Sequence, residues 1–225
     1  MKNQKVNINK RLERLSTFVD EEKNIIDVGC DHALLDIYLF QNRKKINIIA
    51  SDIKEGPLKG AKENLKKYNL EDKIKLKLGP GIEPMEKETD TVIISGMGGL
   101  NMIGILKYKE EERKQIKTII LSPNNDVEKV RKEITKLGYY IDKEELVQDK
   151  DFIYPIIRFQ KGKKKYKQEE YLFGPIILKE RTELFKTYLE KKKQTVEHLL
   201  QVLPKKYIKR RFELKKELKC LERIL

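Results

Sequence analysis

IIDVGCDHALLDIYLFQNRKKINIIASD, residues 25–52, decides the fold. It opens on a short apolar run that ends at Gly29 and continues into HALLDIYLFQ (32–41), which has helical spacing. It closes on a second apolar run, INIIASD (46–52), that ends in an acid. Runs this short and apolar on both faces are strands of a parallel sheet covered by helices. The unit repeats outward. KIKLKLG (73–79), DTVIISG (90–96) and KTIILSP (117–123) are predicted strands. GPLKGAKENLKKYN (56–69), LNMIGILKY (100–108) and DVEKVRKEITKLGY (126–139) are predicted helices, the last with Asp126 as N-cap and Gly138 as stop. IDKEELVQDKDFIYPIIRF (141–159) supplies two further extended segments, an antiparallel pair, and residues 7–19 form an N-terminal helix. The expectation is a doubly wound, Rossmann-like α/β domain over residues 1–162, with ligands bound along the edge where the strands end.

After Gly162 the pattern changes. KGKKKYKQ is a basic linker, and two helical stretches follow, separated at Pro204. Their apolar positions, Leu184, Tyr188, Val196, Leu199 and Val202, then Tyr207, Leu214, Leu218, Leu221 and Leu225, predict a short antiparallel coiled-coil hairpin over 163–225. The chain carries a net charge of +14. Residues 161–225 hold 20 of its 50 Lys and Arg but 9 of its 36 Asp and Glu, so most of the excess is here. Such a surface neutralises phosphates, and it equally serves as a solvated, lysine-rich helix pair.

Other classes are excluded by what is missing. No apolar run approaches the ~18 residues of a membrane span, and MKNQKVNINKRLERL has no secretory h-region. The two cysteines, Cys30 and Cys220, make no disulfide framework or metal motif, so a cytoplasmic protein without metal is expected. No membrane partner is expected, and a monomer is favoured.

The chemistry is concentrated at strand ends. IIDVGCDH carries one glycine, Gly29, where a dinucleotide turn carries several. A single-glycine turn flanked by Asp27 and Asp31 suits a ligand without phosphates, such as S-adenosylmethionine, whose ammonium and sulfonium favour anionic surroundings. A plain turn with Asp31 as a helix N-cap fits the same residues. Asp52 ends the second strand, where a carboxylate can accept both hydroxyls of a ribose; this leaves a nicotinamide-dependent oxidoreductase open. LGPGI (78–82) allows close backbone approach at Gly79 and Gly81, and it also reads as an ordinary Pro-Gly turn. SGMGG (95–99) puts Gly96, Met97 and Gly98 at the ligand edge, with Met97 a soft apolar contact. In LSPNND (121–126), Asn124 and Asn125 either bond a base edge or cap the next helix. A non-enzymatic RNA-binding protein explains the charge but not the marked strand ends.

NKRL (9–12), DVGCDHALL (27–35), ASDIKEGPLKGA (50–61), SGMGGLNMIGIL (95–106) and LSPNN (121–125) together resemble the bacterial tRNA (adenine-22-N1)-methyltransferase family, TrmK. The resemblance covers about residues 7–160, and the hairpin is similar to the family's coiled-coil appendage. This chain departs from the family pattern at Pro80, where an Asp is usual, and at Ser122, where a Gln is usual. The resemblance implies an S-adenosyl-L-methionine-dependent enzyme acting on tRNA. It implies that Gly29, Cys30, Asp31 and His32, with Asp27 behind them, line the methionine side of the cofactor, and that Asp52 and Ile53 hold ribose and adenine. It implies that Gly96, Met97 and Gly98 lie where methyl donor and base meet, with Asp31, Asn124 and Arg11 as catalytic residues and the basic hairpin as the tRNA-binding part.

Overall fold

The computed structural model describes residues 4–225, so the first three positions of the N-terminal stretch lie outside it. The chain divides into two compact units, one ending at Tyr166 and one spanning Lys167–Leu225.

The first unit is built on a seven-stranded sheet: β1 (Asn24–Val28), β2 (Asn47–Asp52), β3 (Ile74–Leu78), β4 (Thr91–Ser95), β5 (Thr118–Ser122), β6 (Tyr139–Asp149) and β7 (Phe152–Lys161). The spatial order is β3-β2-β1-β4-β5-β7-β6. The first five run parallel, and β7 lies antiparallel between β5 and β6. Strand order reverses between β1 and β4, the place where an open α/β sheet leaves a crevice. The sequence explains the centre. Ile26, Val92, Ile93, Ile94, Ile119, Ile120 and Leu121 have no exposed surface, because helices cover both faces.

Helices α1 (Lys10–Ser16), α2 (Leu34–Asn42), α3 (Glu55–Lys67), α4 (Gly99–Tyr108), α5 (Glu110–Gln115) and α6 (Val127–Lys136) complete this unit. α5, a charged single turn and a half, had no apolar period to announce it. α2 begins at Leu34, two residues after His32, because Asp31 and Ala33 both take the left-handed conformation. Asp31 is therefore not the N-cap; Ala33 occupies that place without a capping side chain. Asp126 occupies the N-cap position of α6 but is itself left-handed, and its carboxylate pairs with Lys129 at 2.8 Å instead of capping. Gly138, at φ +92°, ends the segment as its freedom from a Cβ allows.

α1 is fastened from β6. Arg14 pairs with Glu145, Lys143 donates to the Thr17 carbonyl at 3.1 Å, and Lys143 Nζ lies 4.3 Å from the Phe18 ring centroid. Arg158 of β7 binds Asp142 through two nitrogens and reaches the Phe18 carbonyl and Asp20.

The second unit contains α7 (Gln168–Phe173), α8 (Ile177–Glu180), α9 (Glu183–Val202) and α10 (Ile208–Ile224). α9 and α10 run antiparallel: Arg211 donates to the Leu200 carbonyl near the turn, and Lys192 pairs with Glu217 farther down. The buried stripe differs from the one expected. It is Phe185, Leu189 and Val196 on α9 and Leu214 and Leu221 on α10. Leu184 and Tyr188 are half-buried, while Leu199, Val202, Tyr207 and Leu225 are exposed. Leu184–Phe185 and Tyr188–Leu189 are adjacent apolar pairs about 100° apart on a helix, so periodicity alone does not choose between them. Phe173 of α7 is fully buried, with Lys192 Nζ of α9 5.6 Å from its ring centroid.

Arg131 of α6 and Glu144 of β6 form a buried ion pair, Nε to Oε1 2.6 Å, each about 1% exposed. Arg131→Met leaves the carboxylate without its partner and is expected to cost about 3–5 kcal/mol in urea unfolding. The double variant Arg131→Met/Glu144→Leu is expected to recover most of that loss.

Candidate functional site

A cleft of about 360 Å³ opens at the strand-order reversal, lined by Asn9, Arg11, Leu12, Asp27, Gly29, Cys30, Asp31, His32, Leu34, Leu35, Ser95 and Gly96. Two tight turns make it. Gly29 after β1 and Gly96 after β4 each sit at φ +77°, a conformation strained for any residue with a Cβ. A Cβ on Gly29 would also come within 3.1 Å of the Met97 methyl, so Met97 lies over the first turn. The Gly29 and Cys30 amides both donate to the Ser51 carbonyl, at 2.8 and 3.0 Å. In a dinucleotide site turn amides approach pyrophosphate; here these two are already taken.

Two acids, Asp27 and Asp31, line the cleft, and Asp36 is buried outside its lining. Asp27, 4% exposed, is pushed up to about 7 by burial and by Asp52 nearby. Asp36 of α2 is wholly buried, neither of its oxygens has a hydrogen-bond partner, and burial with Asp27 beside it holds it well above the usual carboxylate range. Burial and these same acids push the Cys30 thiol up, so it is an inert wall of the cleft and no nucleophile. A cation placed in the cleft favours the ionised form of Asp27, which lines it. Asp31 stands at the rim, its side chain 73% exposed, with Oδ1 3.6 Å from His32 Nε2. The His32 ring rests on α3 at Gly60, where a Cβ would lie 2.5 Å from its Nδ1, and Asn64 binds its carbonyl at 2.9 Å.

Arg11 forms the opposite wall. Its Nε donates to Ser122 Oγ at 2.9 Å, Nη1 donates to Asn124 Oδ1 at 2.8 Å, and Nη2 donates to the Ser122 carbonyl. The guanidinium stacks 3.8 Å above the Tyr154 ring. Burial lowers its pKa, against Tyr154 and Asp149, and it remains charged. Asn124 Nδ2 in turn binds the Gly96 carbonyl at 2.7 Å, so both ends of this amide are engaged. Asn125 accepts from the Gly99 amide at 3.1 Å, so it serves the start of the preceding helix α4 and not, as expected, that of the next one.

The cleft thus gathers Arg11, Asp27, Gly29, Cys30, Asp31, His32 and Gly96, and Met97 and Asn124 touch members of that set. Asp52 and Ile53 stand outside its lining at the end of β2. Asp52 Oδ1 holds the Lys54 amide at 2.9 Å, and Ile53 is 65% exposed, a flat apolar surface. Gly98 is the N-cap position of α4. Gly79 and Gly81 are also outside the cleft lining. They are explained by packing, since a Cβ would strike Pro84 at 2.7 Å and Ile105 at 2.9 Å. Sequence reasoning passed over Tyr154, Gly60 and Asp36. Asp36 left a visible signal, one acid inside the apolar run ALLDIYLF; Tyr154 left none, since its partner is 143 positions away. Among the described residues, no group of three or more His, Cys, Asp or Glu is placed to hold a metal ion, and no helix is long and apolar enough to cross a membrane.

Comparison with known proteins agrees with this geometry. The family model for tRNA (adenine(22)-N(1))-methyltransferases, TrmK, matches residues 25–223. The tRNA (adenine(22)-N(1))-methyltransferase of Bacillus subtilis is 28% identical over 198 residues, 85% of this chain and 82% of that protein. A Streptococcus agalactiae protein of the NADB-Rossmann superfamily superposes with a TM-score of 0.92 at 27% identity, covering 99% of both chains. A Streptococcus pneumoniae protein in complex with S-adenosyl-L-methionine gives 0.89 at 28% identity, covering 97% of this chain and 100% of that one. M. capricolum TrmK in complex with S-adenosyl-homocysteine gives 0.83 at 28% identity, covering 96% of both.

Asp36→Asn keeps the shape and removes the ionisable group. In the fold this carboxyl stays protonated to well above its unfolded value. Its contribution to stability is full below about pH 4 and is lost as pH rises toward the folded value. The variant is therefore expected to match the parent protein in thermal unfolding near pH 4 and to melt higher near pH 8, to within about a pH unit of those limits. An equal difference at both pH values would mean that the carboxyl is not protonated in the fold.

Proposed function

This chain belongs to the tRNA (adenine(22)-N(1))-methyltransferase family, and we propose that its cleft binds S-adenosyl-L-methionine and directs methyl transfer to N1 of adenine 22 in tRNA. The observation that carries the reading is the acid-lined cleft at the reversal of strand order, with turn amides bonded to Ser51 and unavailable to a pyrophosphate. That last feature also disfavours the nicotinamide oxidoreductase.

The residues present fit the cofactor. Asp27 lines the cleft behind Gly29 and Asp31 stands at its rim, and an ammonium or sulfonium placed there favours the ionised form of Asp27. Gly29, Cys30, Asp31 and His32 are assigned to the methionine side. We assign the ribose diol to Asp52, whose Oδ1 already braces the turn, and the adenine face to exposed Ile53, with Gly79 and Gly81 shaping the neighbouring turn. When bound, the cofactor supplies an electrophilic methyl group on a sulfonium.

The chain's own task is alignment. Adenine N1 already carries a lone pair, so no strong base is needed, and holding the reactants near ~3–3.5 Å in line removes much of the barrier. Gly96, Met97 and Gly98 leave room for the flat base at the second turn. Arg11 and Asn124, locked to each other and to Ser122 and Gly96, form a rigid wall for it. The base becomes cationic on methylation, and the exposed Asp31 carboxylate at the rim stabilises that charge. N1 lies on the pairing edge, so the base must leave its stack at a cost of a few kcal/mol.

Incubation with radiolabelled cofactor and unmodified tRNA is expected to label the tRNA, with N1-methyladenosine mapped at position 22; label on another atom would overturn the assignment. Asp31→Asn, which keeps a side chain suited to the left-handed backbone at φ +52°, is expected to lower turnover roughly 100-fold while thermal unfolding is unchanged. Near-parental turnover would remove its role. Gly60→Ala favours helix α3 by about 1 kcal/mol yet displaces the His32 ring. Cofactor affinity is expected to fall without loss of stability, and unchanged affinity in calorimetry would remove His32 from the binding set.

A further inference from the structure

The hairpin turn leaves uncovered the apolar residues that the rest of the hairpin buries. Val202 is 58% exposed, Tyr207 50%, Ile208 76% and Phe212 70%, all within eleven positions. None of the four belongs to the buried stripes of α9 and α10, although Val202 and Tyr207 were expected inside them. The turn itself is built. Arg211 Nη1 binds the Leu200 and Leu203 carbonyls at the end of α9, and the Tyr207 amide binds the Pro204 carbonyl at 3.1 Å. From His198 to Phe212 there are five Lys and Arg and no Asp or Glu. Lys206 Nζ lies 5.4 Å from the Tyr207 ring centroid.

We propose that residues 202–212 form an RNA-docking tip: Tyr207, Ile208 and Phe212 stack on a nucleobase face left open at a bend or an end of the folded tRNA, while Lys205, Lys206, Lys209 and Arg210 hold the flanking phosphates. This rests on the reading of tRNA as substrate and specifies how the hairpin recognises it. Charge complementarity selects a polyanion, and interleaved rings and cations are the means by which proteins grip bases without reading their sequence. A lipid surface is the other polyanion. An interfacial helix needs a continuous apolar face, and here Lys209, Arg210 and Arg211 interrupt the apolar residues within one turn of helix. Closure by Arg211 means that little order remains to be gained on binding.

The test uses the full chain. Tyr207→Ser/Ile208→Ser/Phe212→Ser is expected to raise the Kd for unmodified tRNA about tenfold or more by direct binding, and the KM in parallel. Its cofactor affinity and helical circular dichroism are expected to be unchanged, as is the slope of log Kd against log salt. Lys205→Ala/Lys209→Ala is expected to flatten that slope by about 2. Phe212→Ala alone, the least disruptive change, is expected to show a smaller loss of the same kind. Unchanged tRNA affinity in the triple variant overturns the proposal. So does loss of binding to phosphatidylserine vesicles with tRNA affinity intact, which would identify a membrane tip. Binding is measured apart from turnover, so the two readings fail separately. A parental chain that binds tRNA through the tip but transfers no methyl group would leave the tip standing and sink the catalytic reading. A chain that binds no tRNA would overturn the tip.

Discussion

One carbonyl holds the site in shape. Ser51, near the end of β2, accepts both the Gly29 and the Cys30 amides, and its own hydroxyl donates back to the Asp27 carbonyl. This two-strand clasp forces the chain leaving β1 to turn sharply, which only a residue without a Cβ does at φ +77° without strain. From that turn the rest follows. Asp31 is thrown to the rim, His32 onto Gly60, and Cys30 inward to the wall. The same clasp consumes the amides through which a phosphate would otherwise be held, so the geometry that builds the cleft also narrows its ligand.

The second wall comes from outside the sheet. Arg11 reaches the cleft because α1 is tied to the last two strands by Arg14, Lys143 and Arg158. Those strands are the antiparallel addition to an otherwise parallel sheet, and Tyr154, the ring beneath Arg11, lies on one of them. The addition is thus part of the site. It places a fixed cation in the same cleft as Asp27 and Asp31, and the Asn124 amide links that cation to the second glycine turn. Opposed charges held apart by their own hydrogen bonds are preorganised for a ligand that carries positive charge at one end and a polar base at the other.

The parallel core was legible because its signal is local. Buried strands such as TVIIS and TIILS are continuous apolar runs, and the acids and glycines that matter stand at their ends. What sequence alone did not reveal depends on partners distant in the chain. Tyr154 matters only because Arg11 is above it. The Ser122 departure from the family pattern acquires meaning as the hydroxyl that receives Arg11 Nε. Asp126 has the residue type of a cap and the position of one, yet its left-handed backbone turns the carboxylate to Lys129. In the hairpin, adjacent apolar pairs offered two faces, and the fold buries the one that carries Phe185 and Leu189. Residue type and spacing therefore located the strand ends well, and assigned partners poorly.

The buried acids show why such a cleft is tolerable at all. Two neighbouring buried carboxyls would destabilise the fold if both ionised, and burial with the repulsion of neighbouring acids pushes both Asp27 and Asp36 upward, toward the protonated form. Arg131 and Glu144 solve the same problem in the opposite way, by pairing at 2.6 Å. A structural acid is given a partner, whereas Asp36 is given none. On the reading proposed above, a cationic cofactor in the cleft faces Asp27, which lines it, and not Asp36, which does not. The cofactor's arrival would let Asp27, with a value near neutrality, release its proton and strengthen the grip. The energetic debt of a buried acid at the strand-order reversal is then the reserve on which ligand affinity draws.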